Sequence, residues 1–208
     1  MNVILFLHGW GGDGNSFAPI LPFFSSFRCL VPAMPMDWPD GAMTLEGYAK
    51  FIERYLDAHG VKRCHIVAHS FGARITALLV QRNPSRYGKL VLTGAAGVRK
   101  KSVRRWMRVR FNKLFRKPGS VEYRGLCPHG KQTFNHIVNR DLRPDIKLIM
   151  HEVLLIFGEH DTATPVRHGR IWNRLVLGSR LKVYKKAGHF AYIDQPLRFV
   201  NDVLTFLG

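Results

Sequence analysis

Six short β-prone runs alternate along this chain with segments of helical spacing, and that alternation constrains the fold more than any other feature. The runs are Val3–Leu7, Arg28–Val31, Cys64–His69, Leu90–Leu92, Val153–Phe157 and Leu181–Tyr184. Val3–Leu7 and Val153–Phe157 are apolar at every position, as a strand must be when both its faces are covered. Leu45, Tyr48, Phe51, Ile52, Tyr55 and Leu56 recur at helical spacing, opened by Thr44 and stopped at Gly60, and predict an amphipathic helix. Further helices are expected over Phe71–Gln81, Arg167–Leu177 and Pro196–Phe206. A short one is expected over Asn15–Phe24, capped by Asn15 or Ser16 and curtailed by Pro19 and Pro22. The alternation stops over residues 98–147 and then resumes. The chain therefore reads as one α/β domain, a three-layer sandwich on a mostly parallel sheet, with a basic segment inserted at 98–147. Ligands of such sheets bind beyond the carboxyl ends of the strands.

Chemistry-bearing residues collect at those ends. The first strand runs into His8-Gly9-Trp10-Gly11-Gly12, and the third into Ala68-His69-Ser70-Phe71-Gly72. The fifth runs into Gly158-Glu159-His160-Asp161, and the sixth into Ala187-Gly188-His189-Phe190. A serine between a strand and a helix must sit on a sharp turn, and small residues two before and two after it let the flanking backbones pass closely. Such a serine is either a plain helix N-cap or an exposed nucleophile beside the free N–H groups of the helix start. A serine hydroxyl needs a base, histidine is the natural one near neutral pH, and the resulting imidazolium needs a carboxylate. Ser70, His189 and Asp161 supply these three groups. Asp161 could instead cap the helix expected near Thr164-Pro165, and Glu159 and Asp194 are rival carboxylates. His8 and His69 are expected to hydrogen-bond the site loops, and His160 lies in the loop of the acid.

The order Ser, Asp, His along the chain, with a glycine-rich loop after the first strand, resembles the α/β-hydrolase family over nearly the full length. The glycine usual at the first position of the serine motif is Ala68 here, one methyl larger. The resemblance implies a core lacking the first two strands of larger members, with 98–147 in the place of the variable cap. It also implies an oxyanion hole from the backbone N–H groups of Trp10 and Phe71. Serine rather than aspartate at the turn points to acyl transfer to water, hence a carboxylic ester as substrate. An acyl-carrier or acyl-CoA thioesterase, and a non-catalytic binding protein on the same fold, are the alternatives. Trp38, Trp106, Met107 and Phe190 are candidate pocket walls. No cofactor or metal is expected: the glycines near Trp10 lack dinucleotide-loop spacing. Gly94-Ala95-Ala96-Gly97, the basic segment and Val138-Asn139-Arg140-Asp141-Leu142 are also similar to stretches in uncharacterised bacterial hydrolases.

Composition adds a compartment and a partner question. Three cysteines without CxxC spacing, Cys29, Cys64 and Cys127, read as free thiols in a reducing cytoplasm, and no signal peptide is apparent. The net charge of +18 is uneven, since residues 97–147 hold 15 Lys and Arg against 3 Asp and Glu. Within Arg99–Lys117, Val103, Trp106, Met107, Phe111, Leu114 and Phe115 fall at helical spacing among basic residues. That face either only solubilises, or it meets an acidic partner such as an acyl carrier protein, or an anionic membrane surface. No nucleic-acid motif accompanies the charge, and nucleic acid ranks last.

Overall fold

The computed structural model describes residues 2–36, 38, 41–98 and 125–208. Six strands form one fully parallel sheet: β1 (Val3–Leu7), β2 (Arg28–Leu30), β3 (Cys64–His69), β4 (Tyr87–Thr93), β5 (Val153–Gly158) and β6 (Arg180–Tyr184). Their order is β2-β1-β3-β4-β5-β6, in register Leu5↔Ile66, Val67↔Val91 and Leu92↔Leu155 across the centre. The chain moves outward from β1 to β2 and then crosses to the other side of β1 for β3. That reversal opens a crevice at the carboxyl ends of β1 and β3, where such sheets take ligands.

Alternate side chains of each central strand enter opposite cores. Leu5, Leu7, Ile66, Ala68, Leu90, Leu92, Leu155 and Phe157 face one cluster. The helices α1 (Leu45–Ala58), α2 (Phe71–Arg82), α3 (Pro128–Asn139), α4 (Arg143–Ile146) and α5 (Val166–Leu175) all contribute to it. Ile4, Phe6, Val67, Val91, Leu154 and Ile156 face the other cluster, covered by Phe17, Ile20, Phe24 and α7 (Pro196–Leu207). Between β6 and α7 lies the short helix α6 (Ala191–Asp194). Each fully buried Leu or Ile in these layers contributes about 1.5–3 kcal/mol. The sheet is thus held from both sides, and its strand ends make a fixed platform.

The helix expected over Asn15–Phe24 is not an α-helix. Residues 14–20 are successive turns, with Ala18 N–H donating to Asn15 O and Ile20 N–H to Phe17 O, followed by a 3₁₀ turn at Leu21–Phe24. Pro19 and Pro22 lack the N–H groups an α-helix would need there. The cap also differs: Asp13 Oδ1 accepts the Asn15 N–H at 2.9 Å, while Ser16 Oγ accepts the Asp13 N–H at 3.0 Å. Thr44 caps α1 as expected, its Oγ1 accepting the Gly47 N–H at 3.1 Å. In the basic segment, residues 99–124 lie outside the described residues.

Candidate active site

Ser70 stands between β3 and α2 with φ 49° and ψ −102°, a left-handed conformation that costs a non-glycine residue ~1–3 kcal/mol. The turn is held by its backbone: Ser70 N–H donates to Thr93 O at 3.0 Å, and Ser70 O accepts from Ala96 N–H and Ala73 N–H at 3.2 Å each. Its side chain makes no capping bond to α2, so the helix-cap alternative fails on geometry. Gly72 is required where the helix leaves the turn, because a Cβ there would overlap the Leu7 carbonyl. Ala68, fully buried in β3, packs its extra methyl into the core.

Asp161 and His189 meet at the ends of β5 and β6. His189 Nδ1–H donates to Asp161 Oδ2 at 2.7 Å, the tautomer being set by this bond. Asp161 does not cap α5, whose N-cap is Pro165 with no side-chain bond. Asp161 Oδ1 accepts the N–H groups of Ala163 and Thr164 at 2.8 and 2.7 Å, while Oδ2 faces both His189 and the Thr164 hydroxyl. Burial alone would raise the Asp161 carboxyl, but the bonds from His189 and Thr164 outweigh it and hold it below the usual carboxylate range. The rival carboxylates are committed elsewhere: Glu159 Oε2 accepts the Lys186 N–H and Asp194 Oδ2 the Gly188 N–H. His160 is exposed, beside Glu159.

The two histidines flanking the motifs are structural, and both are neutral. His8 Nδ1–H donates to Gly9 O at 2.8 Å and its Nε2 accepts the Met34 N–H at 3.0 Å, which fixes the loop after β1. His69 Nε2–H donates to His189 O at 3.1 Å, and the two rings lie 4.6 Å apart. Burial, helped by the neighbouring His189, pushes the His69 ring down to about 3. Gly9 allows this packing, since a Cβ there would meet His69 Nδ1 at 2.8 Å.

A cavity of about 630 Å³ opens over these ends, lined by Ser70, His189, Trp10, Phe71, Thr164 and Phe190 among others. Among the described residues, neither the Trp10 nor the Phe71 backbone N–H donates to a protein acceptor. The arrangement joins an uncapped serine, an imidazole oriented by a buried carboxylate, and two spare backbone donors in one apolar cleft. No cluster of His, Cys, Asp or Glu suited to a metal ion occurs among the described residues.

A family model described as the alpha/beta hydrolase fold matches residues 2–124, more than half of the chain. The chain belongs to the α/β-hydrolase family. It is 25% identical to a 2-hydroxy-6-oxo-2,4-heptadienoate hydrolase of Pseudomonas putida, over 98% of this chain and 89% of that protein. It is 24% identical to a pimeloyl-[acyl-carrier protein] methyl ester esterase of Neisseria meningitidis, over 94% of this chain and 89% of the relative. Its fold superposes on the crystal structure of a hydrolase from Pseudomonas aeruginosa with a TM-score of 0.82, at 23% identity, covering 100% of this chain and 90% of the other.

Within this α/β-hydrolase, the expected pocket walls divide. Phe190 lines the cavity. Trp38 does not: it lies edge-on against Tyr48 and Phe51 of α1, 5.9 and 5.5 Å between centroids, half-buried against the core on that face of the sheet. A large ring in a proline-rich loop finds apolar cover on the nearest amphipathic helix sooner than at the strand ends. Trp106 and Met107 lie outside the described residues. Walls that sequence reasoning does not name come from α2 and α3: Arg74, Phe134, Ile137 and Val138. Arg74, buried one turn beyond Ser70, donates from Nη1 to Ile137 O at 2.7 Å and Arg140 O at 3.0 Å, pinning the end of α3. Thr164 also escapes the sequence reading: it lies in the loop between Asp161 and α5, with no local motif to mark it.

Proposed function

We propose that this α/β-hydrolase cleaves a carboxylic ester through an acyl-enzyme, with Ser70 as nucleophile, His189 as base and Asp161 as its orienting acid. The observation that carries the reading is the 2.7 Å bond from His189 Nδ1–H to Asp161 Oδ2 beside a strained, uncapped Ser70 in the same cavity. In the neutral ring that bond places the proton on Nδ1, so that Nε2 can accept the Ser70 hydroxyl proton as Oγ attacks the ester carbonyl carbon. The carbonyl electron pair moves to oxygen, where the N–H groups of Trp10 and Phe71 would receive it. As the C=O re-forms, the alkoxide leaves with the proton from His189 Nε2. Water, deprotonated by the same nitrogen, then attacks the acyl-Ser70 carbonyl. Collapse frees the carboxylic acid and returns the proton to Ser70 Oγ. No step draws on a cofactor.

Similarity to an esterase whose substrate is carried on an acyl carrier protein, together with the +18 charge, favours a second reading in which the acyl group arrives on an acidic carrier or as a thioester. The similarity to a heptadienoate hydrolase adds a dienoate to the substrates worth testing. An anionic membrane surface is a further proposed partner for the basic segment.

A fluorophosphonate should label the wild type and leave Ser70→Ala unlabelled; equal labelling of both overturns the reading. A panel of p-nitrophenyl esters, acyl-CoA, acyl-carrier thioesters and a dienoate then ranks the substrates. Salt sensitivity of kcat/KM confined to carrier-bound substrates supports the carrier reading, and insensitivity on all substrates removes it.

A further inference from the structure

Thr164 makes a set of contacts that the triad alone does not require. Its Oγ1 lies 2.8 Å from Gly94 O at the end of β4, 2.8 Å from Asp161 Oδ2 and 3.2 Å from His189 Nδ1. The residue is buried, and its backbone N–H already binds Asp161 Oδ1. A threonine hydroxyl carries one proton and two lone pairs. Gly94 O and an ionised Asp161 Oδ2 are both acceptors, so the hydroxyl can donate to only one of them at a time. Donation to Oδ2 draws charge from the oxygen that holds His189 Nδ1–H. Donation to Gly94 O releases that oxygen to the imidazole and leaves Thr164 Oγ1 a lone pair facing Nδ1–H.

We infer that Thr164 is a positioning residue whose hydroxyl is shared between the Gly94 carbonyl and the Asp161 carboxylate, and that its choice sets how firmly Asp161 holds His189. A neutral imidazole needs less of the carboxylate's charge, and the hydroxyl then sits on Oδ2, where a charge-assisted bond is the stronger one. When His189 takes the Ser70 proton, the imidazolium competes for Oδ2 and the hydroxyl turns to Gly94 O. The carboxylate strengthens its hold when positive charge develops and relaxes it afterwards. No bond to carbon is involved and no proton is lost; one hydroxyl rotates.

Other titratable groups around the pair are accounted for. The ring of His69 of β3 packs tilted against that of His189 and is held neutral by burial, while His8, just after β1, accepts the Met34 N–H. Tyr192 of α6 packs edge-on to the His69 ring. Asp194 and Glu159 accept backbone N–H groups of Gly188 and Lys186 on the loop that carries His189. Arg74 lines the cavity and donates to the carbonyls of Ile137 and Arg140. None of these groups donates to Asp161 Oδ2.

The test compares Thr164→Val, which keeps the shape without the hydroxyl, with Thr164→Ser, which keeps the hydroxyl. The first readout is the low-field proton resonance of His189 Nδ1–H followed against pH, which needs no substrate. The second is the acidic limb of kcat/KM on whichever ester the wild type hydrolyses, and it alone rests on the proposed function. In Thr164→Val the carboxylate keeps its full charge on the imidazole, so the resonance should titrate about one pH unit higher, with the acidic limb following it. Thr164→Ser should return both to wild-type values. Unchanged titration in a folded Thr164→Val, or a Thr164→Ser that behaves like the valine variant, overturns the inference. If the valine variant does not fold, Thr164→Ala takes its place under the same criteria. A wild type that shows the resonance but hydrolyses nothing counts against the proposed function and leaves the first readout to decide this one.

Discussion

His69 Nε2–H donates to the carbonyl oxygen of His189 over 3.1 Å, so the residue before the serine holds the backbone of the histidine that would serve it. The bond joins the ends of β3 and β6 across two intervening strands. Replacing His69 with Gln keeps a donor near the same point, whereas Ala removes both donor and ring. His69→Ala should lower kcat at least ~10-fold with a smaller change in KM, since misplacing a base by about 1 Å costs up to 10²-fold. His69→Gln should recover much of the loss. Equal kcat in wild type and His69→Ala would contradict this role.

Stability should fall with acid well before the carboxylates titrate. His8, His65 and His69 are all held below their ordinary value, chiefly by burial. The unfolded chain takes protons on these rings near the free value of about 6.5, and the native chain does so only at lower pH. Between those points the unfolded state binds more protons, so stability is complete above about pH 6.5 and declines as pH drops toward 3. For a ring as buried as His69 the slope approaches ~1.4 kcal/mol per pH unit. Asp161, held low, adds its loss only further down. Urea midpoints at pH 8, 6 and 5 measure the decline, and His69→Gln should flatten it.

The backbone of Ser70 predicts a trade between stability and chemistry. Glycine adopts φ 49° without penalty, so Ser70→Gly should raise the unfolding free energy by about 1 kcal/mol, net of the added chain entropy. Ser70→Ala removes the same hydroxyl and should give no such gain. Both should lose fluorophosphonate labelling. Chemical denaturation of the three proteins settles the comparison.

Arg74 is the joint between the core and the segment that returns from the insertion. Arg74→Met leaves the carbonyls of Ile137 and Arg140 without their charged donor and should cost about 2–3 kcal/mol. Hydrogen exchange should quicken first over α3, and KM should rise more than kcat falls because Phe134, Ile137 and Val138 form a cavity wall. Uniform exchange across the sheet instead would mean that Arg74 serves the core alone.

Most of the fold and the core of the site are legible in the sequence because both rest on local pattern. Continuous apolar runs such as Cys64–His69 and Val153–Phe157 are strands, and the residues just after a strand of a parallel sheet lie at its carboxyl end. That rule alone locates Ser70, Asp161 and His189. Trp38 and Thr164 escape it because their places depend on tertiary partners: Trp38 on the rings of α1, Thr164 on Gly94, 70 residues away. Arg74 has helical spacing like any surface arginine, and nothing local announces that two carbonyls at the end of α3, of Ile137 and Arg140, wait for it. Asn15–Phe24 departs from expectation for a local reason, two prolines that do more than shorten a helix and prevent one from forming.

The strand ends that carry the site also distribute it along the chain. The serine arrives with β3, the carboxylate with β5 and the histidine only after β6, so no short contiguous stretch of the polypeptide holds all three. A ribosome that has released residues up to 124 has delivered the region matching the family, yet neither Asp161 nor His189. On the proposed chemistry, nascent or clipped chains are therefore inert toward any acyl bond they meet. Covalent labelling of Ser70 becomes an assay for finished molecules, reporting in one measurement that the last two strands have docked.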